Sequence, residues 1–120
     1  RRILLVDDEE NFVTTTKLGL EHEGFEVITA SDGVEGLKKT NEEKPDLILL
    51  DVMMPKMNGY QVCRELKGSD DTKGIPIIML TAKSQESDKF WAEETGVDDY
   101  ATKPFEMVEL LEKIRKLLKN

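Results

Sequence analysis

Three apolar runs of this chain each end in a side chain suited to phosphoryl chemistry: Asp7 and Asp8 after residues 3–6, Asp51 after residues 47–50, and Thr81 after residues 77–80. A Lys-Pro pair, Lys103 and Pro104, follows a fourth and weaker run. Each residue also has an ordinary explanation. Asp7 and Asp8 could cap a helix at its positive end, Asp51 could serve the turn marked by Pro55 and Asn58-Gly59, Thr81 could satisfy a strand terminus, and Lys103 could be a surface lysine. Two adjacent Asp residues facing a third shift the balance, because like charges gathered at one edge raise each other's pKa unless a cation neutralises them. A hard divalent ion such as magnesium suits such a set, since it takes oxygen ligands and uses one or two carboxylates while keeping several waters. A carboxylate at Asp51 can attack phosphorus to give an acyl phosphate. The Lys103 ammonium would then balance Asp51 and later the phosphoryl group, and the Thr81 hydroxyl would donate to a phosphoryl oxygen.

These residues meet only if the strands that carry them are parallel, so that their carboxyl ends share one edge of a sheet. The patterning predicts that arrangement. Residues 3–6, 47–50 and 77–80 are unbroken apolar runs, as in strands covered on both faces, while Phe25, Val27 and Ile28 and then residues 99–102 make weaker flanking strands. Between them, apolar residues recur at helical spacing. Phe12, Thr16 and Leu20 mark a first helix that stops at Gly24. Val34 and Leu37 mark a second, in which Gly36 costs about 1 kcal/mol of helix propensity unless close packing requires it. Val62, Cys63 and Leu66 mark a third, entered through Asn58-Gly59. A fourth spans residues 85–95 and stops at Gly96, and a fifth carries Val108, Leu111, Ile114 and Leu118, widened by Leu110 and Leu117. Residues 68–74 read as an exposed loop. Alternation of this kind implies right-handed crossovers and a doubly wound α/β domain with a five-stranded parallel sheet.

At 120 residues the chain fits one domain spanning 1–120. A net charge of -8 argues against direct contact with nucleic acid by this domain. The one cysteine, Cys63, has no partner for an internal disulfide, and no stretch approaches the roughly 20 apolar residues that span a bilayer. A cytoplasmic setting without membrane contact is the expectation. Cys63 reads as a small core residue and His22, the only histidine, as a solvated side chain.

Read in order, LLVDDEEN (residues 4–11), LILLDVMMPKMNG (47–59), IIMLTA (77–82) and DDYATKPF (98–105) resemble the receiver domain of two-component response regulators. The resemblance covers essentially the whole chain. It implies a flavodoxin-like (βα)5 fold of strand order 2-1-3-4-5, with Asp51 as phosphoacceptor. Asp8, Asp51 and the backbone carbonyl of Met53 would ligate magnesium, and Asp7 would act mainly through a metal-bound water. Thr81 and Lys103 would contact the phosphoryl oxygens, Lys103-Pro104 would be a cis peptide, and Tyr100 would rotate inward as Thr81 moves. The implied donor is a histidine kinase or phosphotransfer protein. The reader would be a downstream effector or covalently linked output domain, or a phosphorylation-dependent homodimer, through the face made by the fourth helix, fifth strand and fifth helix. Met53 and Lys83 would bear on signal lifetime, and Trp91, near Glu93, is either core or a partner anchor. Such a domain catalyses only its own phosphorylation and dephosphorylation. The alternative is a magnesium-dependent phosphohydrolase of haloacid dehalogenase type, which also uses a strand-end Asp. That family typically carries a second Asp two residues after the nucleophile, where this chain has Met53.

Overall fold

The apolar runs form the strands β1 (Arg2–Val6), β2 (Glu26–Ala30), β3 (Leu47–Asp51), β4 (Ile77–Ala82) and β5 (Asp99–Lys103). A computed structural model of the chain describes residues 1–82 and 96–119. All neighbouring strands pair in parallel in the order β2-β1-β3-β4-β5, so the expected fold and strand order are observed. Because β1 and β3 are neighbours whose connections leave to opposite sides, a crevice opens at their carboxyl ends.

Alternate strand residues feed two cores. On one side Ile3, Leu5, Leu47, Leu49, Ile78 and Leu80 pack against Leu20 of α1 (Glu10–His22) and Leu110, Leu111 and Ile114 of the C-terminal helix (Met107–Leu118). On the other, Leu4, Val6, Ile48, Leu50, Ile77 and Met79 meet Val62, Cys63 and Leu66 of α3 (Gly59–Lys67). Strands buried on both faces gain from each side chain along their length, which explains their lack of alternation. Gly24 adopts φ +96 just beyond α1, the left-handed conformation expected of a helix stop. His22 is exposed and Cys63 is buried, as anticipated.

Two apolar positions do not lie where their spacing suggested. Val34 is 52% exposed and Val108 is 66% exposed. In α2 (Gly33–Glu43) the buried face consists of Gly33, Gly36 and Thr40, so this helix approaches the sheet through its small residues and turns Val34 outward. In the C-terminal helix Met107, rather than Val108, reaches back to Gly19 of α1. The 68–74 segment is exposed, as its composition implies, except at Thr72, which is buried and whose hydroxyl donates to the Leu66 carbonyl at 2.7 Å. The fourth predicted helix, residues 85–95, together with Lys83, Trp91 and Glu93, lies outside the described residues.

The close approach of α2 carries a prediction. A Cβ on Gly36 would stand 3.0 and 3.1 Å from the two methyl groups of Val6, a fully buried side chain. Gly36→Ala gains about 1 kcal/mol of helix propensity and suffers overpacking of about 1–3 kcal/mol. A net loss of about 1 kcal/mol is expected in urea unfolding, and a more stable variant would show that α2 can retreat from the sheet.

Candidate functional site

At the end of β1 the chain turns from strand to helix within three residues, and Asp7 is fixed at that turn. Its backbone N–H donates to the Ala30 carbonyl at 3.0 Å, and its Oδ1 accepts from the Glu9 N–H at 3.0 Å. The other oxygen, Oδ2, accepts from Lys103 Nζ at 2.7 Å. Asp7 is buried, whereas Asp8 is exposed at the mouth of the crevice. Glu9, at the N-cap of α1, makes no side-chain cap bond. The turn into α1 therefore accounts for one oxygen of Asp7 and leaves the remaining acids of this run unexplained.

Asp51 ends β3 beside Leu80 in the β4 register. The following loop is held by Val52 N–H to the Leu80 carbonyl and by Gly59 N–H to the Val52 carbonyl at 2.9 Å. Asn58 then starts α3 with a capping box shared with Gln61. The loop between carries Met53, whose side chain is 65% exposed.

Carboxylate oxygens of Asp7, Asp8 and Asp51 all lie within 4.8 Å of one another. Lys103 Nζ reaches Asp51 Oδ1 at 3.4 Å as well as Asp7. The charge pattern of the sequence pairs Lys103 with Asp51, whereas its shorter bond is to Asp7. Burial, with the charges of Asp7 and Asp8, pushes the Asp51 carboxyl up to about 7 against the opposing pull of Lys103. For Lys103, burial disfavours the ammonium, but the hydrogen bond to Asp7 and the charges of Asp51 and Asp7 outweigh it and raise its pKa. Three carboxylates against one ammonium leave two uncompensated negative charges when all are ionised. An all-oxygen donor set with that surplus fits a hard divalent cation such as magnesium.

Thr81 and Lys103 come from adjacent strands. Thr81 pairs with Thr102 and Ala82 with Lys103 in the β4–β5 register. The Thr81 side chain is 1% exposed, and among the described residues its Oγ1 has no hydrogen-bond partner. A buried hydroxyl without a partner costs about 1–3 kcal/mol, which is reasonable where an acceptor is supplied only in another state. The Lys103-Pro104 peptide is cis, as the resemblance implied. Tyr100 is half-buried on β5 and packs with the α3-side core.

One contact was missed by sequence reasoning. The ring of Phe12 lies under the Lys103 ammonium, with Nζ 4.1 Å from its centroid. By spacing alone Phe12 is only a core marker of α1. The available signal is its position two residues beyond the acidic run of Asp7 to Glu10.

Comparison with known proteins follows the same lines. A family profile described as response regulator receiver domain matches residues 3–115. The alkaline phosphatase synthesis transcriptional regulatory protein PhoP of Bacillus subtilis is 50% identical over the whole chain, which covers 49% of that protein. The chain spans about half the length of the curated relatives it matches. Among solved structures, the signal receiver domain of a signal transduction histidine kinase from Syntrophus aciditrophicus superimposes with a TM-score of 0.91 at 38% identity, covering 98% of this chain and 89% of that one. The receiver domain of sensor histidine kinase PA1611 from Pseudomonas aeruginosa, with a magnesium ion coordinated in its active site cleft, gives 0.92 at 29% identity, covering 100% and 98%. The phosphohydrolase alternative gains no support from these matches, and at its second acidic position Met53 turns outward.

Proposed function

The chain belongs to the family of response regulator receiver domains of two-component systems, and on that premise we propose that Asp51 is its phosphoacceptor in a magnesium-dependent reaction. The observation that carries this reading is the convergence of Asp7, Asp8 and Asp51 within 4.8 Å, with Lys103 bridging two of them. One carboxylate oxygen of Asp51 attacks the phosphorus of a kinase or phosphotransfer-protein phosphohistidine. The O–P bond forms as the N–P bond breaks, and the imidazole leaves with the electron pair. Asp8, Asp51 and the Met53 backbone carbonyl would hold magnesium directly and Asp7 through a water; the metal, when bound, offsets charge on the transferring phosphoryl oxygens.

Lys103 exchanges part of its hold on Asp7 and Asp51 for a phosphoryl oxygen, and the Thr81 hydroxyl donates to another. Movement of Thr81 vacates space that Tyr100 then fills, which alters the β5 and C-terminal helix face offered to a partner. The reader is a downstream effector, a covalently linked output domain or a second copy of the chain, with residues 1–120 acting as a single receiver unit. The domain catalyses its own phosphorylation and hydrolysis and turns over no other substrate. Its setting is the cytoplasm, consistent with the absence, among the described residues, of any helix long and apolar enough to cross a membrane.

Acetyl phosphate tests the assignment. With magnesium the native chain should gain one phosphoryl group by intact mass, while chelation or Asp51→Asn should reduce labelling by about 100-fold or more. Metal-independent labelling, or undiminished labelling of the variant, would reject Asp51 as the acceptor.

A further inference from the structure

Lys103 is held from two sides. Asp7 Oδ2 and Asp51 Oδ1 lie at 2.7 and 3.4 Å from its Nζ, and the face of Phe12 lies 4.1 Å from the same nitrogen. Phe12 is itself braced by Phe105 in a T-shaped contact, with centroids 5.7 Å apart and planes at 84°. The brace comes from the residue after Pro104, so the end of β5 that carries Lys103 leads directly into the residue that fixes the ring beneath it. An ammonium over an aromatic face is attracted by the ring quadrupole, most strongly where water is partly excluded. The Lys103 side chain is only 20% exposed.

We propose that Phe12 is a positioning residue for Lys103, presenting its aromatic face as a pivot on which the ammonium swings from Asp7 towards the phosphoryl group. The carboxylate contacts are directional and specific to the resting state. A ring face is not: its attraction persists as the nitrogen moves laterally, so Lys103 keeps a partner throughout the transfer. This also limits the freedom of a long lysine side chain, which would otherwise lose rotamer entropy when it engages the transition state. Core packing alone would explain the partial burial of Phe12, but it gives no reason for the ammonium to sit over its face.

The inference rests on Asp51 being the acceptor, and its test separates the two claims. Mono-, tri- and pentafluorophenylalanine placed at position 12 keep the ring's shape nearly constant while weakening and then reversing its quadrupole. The rate of labelling by acetyl phosphate at saturating magnesium should fall stepwise along this series, by about five- to tenfold at the end. Phe12→Leu should match the last member, and Phe12→Trp should retain the native rate. In parallel, the Lys103 ε-methylene protons should show an upfield ring-current shift in the native chain that Phe12→Leu abolishes. A rate that is flat across the fluorinated series overturns the inference, because a packing role depends on shape alone. If the native chain is not labelled at all, the acceptor reading falls, and absence of the ring-current shift then overturns the positioning role independently.

Discussion

Asp51→Asn should raise the melting temperature of the magnesium-free protein by roughly 5–10 °C at about pH 8, corresponding to about 1–2 kcal/mol, and should change it little near pH 4. The direction follows from the Asp51 carboxyl. Burial, with the charges of Asp7 and Asp8, lifts it from 3.8 to about 7 in the folded chain, against the opposing pull of Lys103. Between those two values the native state binds a proton that the unfolded chain has released. Stability contributed by this group therefore falls as pH rises from about 4 to about 7, and stays low above that. Asparagine has the shape of the protonated acid and escapes the penalty. The expected gain is smaller than the full separation of the two pKa values would give, because solvent at the crevice mouth screens the charge.

Magnesium should reverse the order. Binding to the native state adds stability in proportion to the logarithm of metal concentration over its dissociation constant. The Asn variant, with one carboxylate fewer, gains less. Thermal melts from about pH 4 to pH 9, with and without millimolar magnesium, would show the curves of native and variant crossing. Parallel curves, or equal stabilisation of both by the metal, would mean that Asp51 does not share the charge burden of the cluster.

The strand-end residues were readable because a parallel sheet brings carboxyl ends together: once residues 3–6, 47–50 and 77–80 read as buried strands, Asp7, Asp51 and Thr81 had to meet at one edge. The finer pairing was not readable, since it depends on side-chain reach rather than on order. Lys103 could be aimed at the crevice from its strand, but its shorter bond to Asp7 is set by the β4–β5 register and the turn that fixes Asp7 against Ala30. Phe12 looked like any apolar residue at helical spacing, because periodicity reports which face is buried and not what lies across it. Val34 misled for a related reason. A helix that packs through Gly33, Gly36 and Thr40 buries little apolar side chain, so its valine marks the wrong face.

Backbone proximity is hidden from sequence in the same way, and Gly59 is where it matters most. A Cβ on Gly59 would fall 2.3 Å from the Asp51 carbonyl oxygen and 3.0 Å from its carbonyl carbon. Neither atom belongs to a flexible side chain. The Gly59 N–H also donates to the Val52 carbonyl at 2.9 Å, and Asn58 starts α3 immediately before it, so the helix cannot simply retreat. Gly59→Ala should therefore cost about 3 kcal/mol or more of stability. In the fraction that remains folded it should displace the backbone that aims Asp51, lowering acetyl phosphate labelling by about tenfold or more although no charged group is altered. Gly74→Ala is the matched control, since no atom of the described residues lies within 4 Å of its added methyl. Urea unfolding of the two variants, followed by labelling under conditions where both are folded, separates loss of fold from loss of geometry. If Gly59→Ala unfolds within about 0.5 kcal/mol of Gly74→Ala and labels normally, then the loop after β3 is compliant, and Asp51 must be aimed by Asp7 and Lys103 instead.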